Sequence, residues 1–357
     1  MIYLVNFLLP LTFLVMVSRD FKRIPDLYLF LALLFLAVLP ALQNEVGTDY
    51  NSYANFYFNP EALERYQNRG EVIFASIYGA IVAAELGPQM IFAVYSLLNI
   101  LVLFLTFRIL KNLGFNAPII LFLFAFSTSF YFNQMNGIRQ YAAGSVSVLC
   151  MLYSVRKQKI KALLAILYSI GNHLTGVINL FSFFVGHFVI VRRLQLILFL
   201  ISPVVYFIVL PAFIGQILNL FFPIYSHYLA SDYASGISIL NVMSRMYDLP
   251  LIVLFWICYL SRTNVGNSPG DKVLNAGITI FSLTHFTYLA SVKFGFFFRL
   301  DAFFMLYKIF PLYYLLNHLS GRNQYMAAFA FLYISFPLLL KVLIFPSGEY
   351  LYKAIGF

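Results

Sequence analysis

Apolar stretches near the length that crosses a hydrocarbon core run through most of the chain, from residue 2 to residue 345. A span takes about 20 apolar residues, roughly 17 to 25, and shorter cores serve where neighbours thin the bilayer. We place them near 2–17, 27–42, 90–107, 117–133, 138–155, 160–177, 178–191, 194–210, 249–261, 273–290, 302–316 and 325–345. The pair 160–191 is the least sharply divided. With 62% hydrophobic residues and 10% charged, too few polar side chains remain to clothe a water-soluble domain, which excludes a cytosolic globular enzyme. The expected fold is therefore all-α: one polytopic transmembrane domain over 1–357. Residues 2–17 lack a preceding basic segment and a following cleavage pattern, so they read as a retained first span rather than a signal peptide.

The net charge of +10 lies in single residues and short runs between spans, which argues against a nucleic-acid-binding face and for membrane orientation. Four basic connectors should face the cytoplasm: Arg19, Lys22 and Arg23; Arg108 and Lys111; Arg156, Lys157, Lys159 and Lys161; Arg192 and Arg193. The chain leaves the second span outside near residue 43 and must be inside again at Arg108, yet two helical segments intervene. One cannot cross. The segment 72–86 is the better candidate, because fifteen residues rise only about 22 Å against a core of about 30 Å. Glu71 and Glu85 bracket it, and Gly87-Pro88 ends it. It is expected to lie in the outer interface, making 43–89 a large extracytoplasmic loop. A second long outer segment covers 211–248, about twelve spans result, and both termini lie outside. Cys150 and Cys258 fall within apolar stretches and read as packing residues.

Ionisable residues near the outer ends of spans are the informative ones. Gly47-Thr48-Asp49-Tyr50, with Tyr53, opens the first outer loop. Asp49 suits a general base, a sugar-hydroxyl orienter or a metal ligand, and equally a helix cap. Asn136-Gly137-Ile138-Arg139-Gln140-Tyr141 opens an apolar span at its outer end. There Arg139 can grip a phosphate bidentately or snorkel to headgroups, and Gln140 and Asn136 favour a polar site. His173, in Gly171-Asn172-His173-Leu174-Thr175, suits proton transfer or an anion contact, or simple packing. Lys293, Arg299 and Asp301 surround the junction of the tenth and eleventh spans, as a second phosphate contact or an interfacial Arg-Asp pair. Lys308 is buried mid-span and needs a partner. Tyr50, Tyr53, Tyr57, Tyr225, Tyr228 and Tyr233 can stack on sugar rings or serve an aromatic belt. No nucleotide loop, nucleophile elbow or metalloprotease motif occurs.

Taken in order, Gly47-Thr48-Asp49-Tyr50 with Tyr53, Glu71 at the head of the interfacial helix, Ile138-Arg139-Gln140, His173 in Asn-His-Leu-Thr and the late Arg299 resemble the EpsG family, grouped with Wzy-type polysaccharide polymerases. The resemblance covers nearly the whole chain through short motifs, with order and spacing carrying it. It implies a bacterial inner-membrane enzyme of GT-C glycosyltransferase type that polymerises oligosaccharide repeat units linked to undecaprenyl diphosphate, for an O-antigen, capsule or exopolysaccharide. It implies Arg139, Gln140, Arg299 and Lys293 at the diphosphate, Asp49, His173 and Glu71 as catalytic candidates, and Tyr50 and Tyr53 at sugar. The acidic position in the first loop is a single Asp49 rather than a pair, so no metal or other cofactor is expected. The bilayer is the surroundings, and a chain-length regulator is a conceivable protein partner. A flippase for lipid-linked glycans, and a ligase or single-sugar transferase using the same lipid, are the rival readings.

Overall fold

A computed structural model describes residues 2–17, 24–221, 239–261, 268–344 and 350–354. Outside them lie Arg19, Lys22, Arg23 and Arg262, and the part of the second outer segment that holds Tyr225, His227, Tyr228 and Tyr233. Helix accounts for 80% of the structure, and no strand forms among the described residues.

Among the described residues, five helices are long and apolar enough to cross a membrane: Gln89–Asn112, Arg192–Phe213, Val242–Ser261, Pro269–Ala290 and Gln324–Ile344. Gln89–Asn112 has 24 residues and rises about 36 Å. Against it packs Asp26–Leu42, which buries Leu29, Ala32, Leu33, Leu36, Ala37 and Pro40 as one helical stripe. The two ends of this pair are chemically distinct. At one, the Asp26 carboxylate meets Arg108 at 2.5 Å and also Lys111, whose Nζ donates to the Ile24 carbonyl at 2.7 Å. At the other, Gln89 Nε2 donates to the carbonyls of Ala41 and Gln43 at 2.8 and 3.0 Å. The C-terminal stretch joins this second end: Asn44 N donates to the Lys353 carbonyl at 2.9 Å, and Gln43 bridges Ala354.

Several of the expected spans are interrupted. The stretch 117–133 turns at Ser129 (φ +57°) between Ala117–Ser127 and Phe130–Asn133. The stretch 138–155 divides into Ile138–Ser145 and Ser147–Val155. Lys159–Asn172 is followed by the 3₁₀ turn Leu174–Ile178 and the short helix Asn179–Val185. The stretch 302–316 runs from the end of the helix Phe296–Phe304 through a 3₁₀ turn at Met305–Lys308 into the helix Ile309–Ser320.

Backbone away from water needs internal partners, and buried side chains supply them here. Ser169 Oγ and Asn179 Nδ2 donate to the Ala143 carbonyl at 2.8 and 3.0 Å, and the Tyr307 hydroxyl donates to the Ser147 carbonyl at 2.8 Å. The segment expected at 72–86 is helical over Val72–Ala83, twelve residues or about 18 Å, and the chain turns through Glu85 and Gly87 at positive φ. Its Phe74, Tyr78 and Ile81 join Tyr53, Ile91, Phe92, Tyr95 and Ile138 in a second, aromatic core that fastens the 43–89 loop to the bundle.

Candidate functional site

Segments distant in sequence meet at the end of the bundle marked by Gln43. The first loop is seated there by Asn136, whose Oδ1 accepts from Thr48 N at 2.7 Å, Thr48 Oγ1 at 3.0 Å and Asp49 N at 3.3 Å. Gly47 makes that approach possible. Its φ is +81°, and a Cβ added there would lie 2.8 Å from Asn136 Oδ1.

Arg139 follows, in the first turn of Ile138–Ser145, with its side chain 14% exposed. Its guanidinium pairs with Glu71, which is 3% exposed. The other Glu71 oxygen accepts the Leu174 N–H at 3.1 Å, directly after His173. Around the guanidinium stand the rings of Tyr66, Phe74 and Tyr53, with centroids at 4.2, 4.8 and 5.8 Å. Burying two charges is tolerable only with such close pairing and hydrogen bonding, and the aromatic faces add cation–π attraction. One donor is left over: Arg139 Nε is buried without a hydrogen-bond partner. Burial pushes the Tyr53 phenol above its ordinary pKa, although the Arg139 charge pulls it down, so the phenol remains a neutral wall of this cage.

His173 is 2% exposed. Its Nδ1 accepts the Thr175 N–H at 3.3 Å and lies 2.7 Å from Thr175 Oγ1. A ring nitrogen that accepts a backbone N–H carries no proton, so in the neutral ring the proton sits on Nε2, which is then a donor. The ring lies within electrostatic reach of both Arg139 and Arg299. Gln140 completes the link to the late segment, since its Nε2 donates to the Arg299 carbonyl at 2.9 Å. The helices carrying Arg139 and Arg299 are in direct backbone contact. A Cβ on Gly144 would lie 2.5 Å from the Ala302 carbonyl oxygen.

Glu71, Arg139, Gln140, His173 and Arg299 are thus gathered together, with Tyr53 beneath them as part of the cage rather than as an open ring face. The other candidates stand apart. Asp49 is exposed at the N-cap of Tyr50–Asn55 but makes no side-chain cap bond. Lys293 is exposed and lies over its neighbour Phe294 at 5.3 Å. Tyr50 is half-buried, stacked on Phe92 at 4.5 Å, and donates to Gln89 Oε1 at 3.2 Å. Asp301 turns to Thr287, whose hydroxyl donates at 3.0 Å, instead of pairing with Arg299. Lys308 finds its partner in Asp248 at 2.7 Å, a residue that the sequence did not single out. Tyr66 and Phe74 were also missed; the i, i+3 spacing of Glu71 and Phe74 was the only available hint. Among the described residues, no three His, Cys, Asp or Glu side chains stand together.

No curated protein and no solved structure matches the chain. A family model described as the EpsG family matches residues 26–354. With that match over nearly its whole length, the chain belongs to the EpsG family, a family of Wzy-type, exopolysaccharide-polymerase-like membrane proteins.

Proposed function

We propose that the protein is a polysaccharide polymerase that transfers a growing glycan from undecaprenyl diphosphate onto a lipid-linked repeat unit at the outer face of the bacterial inner membrane. The observation that carries this reading is the convergence of Arg139, Arg299 and His173, from separate parts of the chain, at the end of the bundle opposite the Asp26, Arg108 and Lys111 cluster. The basic connectors favour the cytoplasm for that cluster, which leaves the gathered site outside.

In the reaction, the bond between the donor's anomeric carbon and the diphosphate oxygen breaks. An acceptor hydroxyl oxygen forms the new glycosidic bond, its proton passes to a base, and undecaprenyl diphosphate departs. Diphosphate is already a good leaving group, so the main need is for cations where charge develops. Arg139 and Arg299 fill that role. The buried Nε of Arg139 shows that its hydrogen-bonding capacity is not exhausted by Glu71. His173, protonated on Nε2, presents a further donor towards the leaving oxygen. The base is Asp49, whose exposed carboxylate stands in the loop over this end of the bundle, with Glu71 as the substitute.

The test is incubation of purified protein with one defined lipid-linked repeat unit, followed by sizing of the glycan. A ladder supports the polymerase. Unchanged substrate that has moved between leaflets identifies a flippase instead, and transfer of a single unit to another acceptor identifies a ligase.

A further inference from the structure

A cavity of about 570 Å³ lies outside the arginine cage, between Phe126–Phe132, the helix Val242–Ser261 and the helix Gln324–Ile344. Its walls are mostly apolar, with Phe132, Leu251, Phe336 and Leu338 among them, and its polar side carries Arg245, Asp248, Lys308 and Lys341. Its position is set by Tyr350, which stacks on Phe132 at 4.3 Å a few residues before the Gln43–Ala354 bridge. One wall of the cavity therefore lies at the same end of the bundle as the proposed reaction.

The charges on its wall are not equivalent. Lys308 is neutralised by Asp248 at 2.7 Å. Arg245 has neutral partners: its Nη1 donates to the Tyr288 carbonyl at 2.9 Å and to the Ser291 hydroxyl, and its guanidinium lies 4.7 Å from the Tyr288 ring centroid. Its hydrogen bonds go to these neutral groups, and Asp301, which lines the smaller cavity beside it, is within electrostatic reach. A guanidinium whose hydrogen bonds go to neutral groups, at one side of an apolar chamber, is complementary to an anionic head followed by hydrocarbon.

A second, smaller cavity of about 40 Å³, with room for about one water, lies beside the same charges and is lined by Asp301, Asn133, His285 and Lys308. Asp301 and Arg299 belong to one helix, Phe296–Phe304, two residues apart and so on different faces. That helix offers its Arg299 carbonyl to Gln140 of the caged site and its Asp301 to the charged side of the cavities. One helix thus separates the two places. The volume suits one headgroup and the beginning of one chain, at the middle of the range for small-molecule sites. The far walls are tied by Tyr247 and Tyr333, whose rings stack at 4.4 Å while each hydroxyl donates to the other's carbonyl.

The geometry points to this cavity as the binding site for the phosphate end of a single-chain polyprenyl lipid, with Arg245 at the phosphate and the Phe132, Leu251 and Phe336 walls against the first isoprene units. It rests on the polymerase reading in one respect: such a reaction must hold two lipid-linked substrates at once, and the caged Arg139 site serves only one.

The test is calorimetry on the purified full chain in detergent, with farnesyl phosphate as the probe and farnesol, inorganic phosphate and phosphatidylglycerol as comparators. Farnesyl phosphate should bind at least about tenfold more tightly than any comparator. Arg245→Gln, which keeps a donor for the Tyr288 carbonyl, should weaken it by about tenfold or more, and Ser127→Trp, which fills the chamber, should do the same. Arg139→Lys, which alters only the caged site, should leave the Arg245-dependent part of this binding unchanged. The assignment is overturned if both cavity variants bind as the wild type does, if the Arg139 variant alone loses binding, or if phosphatidylglycerol binds equally well. Because binding is read without turnover, a cavity that binds the probe in a protein that makes no polymer would refute the polymerase reading and leave this one standing.

Discussion

Removing the positive charge of Arg139 in Arg139→Met leaves Glu71 as a buried carboxylate whose remaining partner is the Leu174 N–H. Breaking one side of a buried ion pair costs about 3–5 kcal/mol, a large part of a total stability of roughly 5–15 kcal/mol. Glu71→Gln is milder, because its amide oxygen still accepts from Leu174 N and the Tyr66 and Phe74 rings still face the guanidinium. In the double variant neither charge remains, and most of the stability should return, so that the two losses do not add. Thermal unfolding in detergent reads this cycle, and glycan sizing on the same four proteins reads activity. A pair that only holds the first loop to the His173 turn predicts that the stable double variant makes polymer. A leaving-group role for Arg139 predicts that the double variant folds and still loses about 10² to 10³ in rate. Wild-type chain lengths from the double variant would refute that role, and an Arg139→Met protein as stable as the wild type would refute the buried pair itself.

Other expectations concern the supports of the site. Gly144→Ala brings a methyl to within 2.5 Å of the Ala302 carbonyl oxygen, so it should force apart the helices carrying Arg139 and Arg299, lower stability by about 1–3 kcal/mol and reduce polymer yield. His173→Asn keeps an acceptor near Nδ1 for the Thr175 N–H but has nothing at the Nε2 position; it should unfold as the wild type does and lose about 10² or more in rate, whereas an active variant would make His173 a packing residue. Lys111→Met at the opposite end should lower the unfolding temperature by removing a buried partner of Asp26, while the folded fraction retains its specific activity.

The helical membrane architecture was legible because hydrocarbon thickness leaves so strong a mark on composition. The interruptions were not. The Ser145-Val146-Ser147 step is hidden in hydropathy because the carbonyls of Ala143 and Ser147 beside it are satisfied by Ser169, Asn179 and Tyr307, residues far along the chain. The same limit shaped the site. Arg139, His173, Gln140 and Arg299 could be picked out singly as polar groups at the outer ends of spans. That Glu71 is the counter-charge of Arg139 across 68 residues, and Asp248 that of Lys308, follows only from packing. Sequence alone therefore presented Arg139 as free to grip a phosphate, whereas the fold makes it half of a buried pair with Glu71.

Transfer from a lipid diphosphate has a stoichiometry that a flippase lacks, and growth in steps of one repeat separates a polymerase from a ligase. The most direct measurement follows, in one reaction of purified protein with a defined lipid-linked repeat unit, both the glycosidic bonds formed and the undecaprenyl diphosphate released. One lipid diphosphate released for each bond made, with glycans growing in steps of one repeat, is the predicted result. Movement of intact substrate with no release, or release without any lengthening of the glycan, would contradict it.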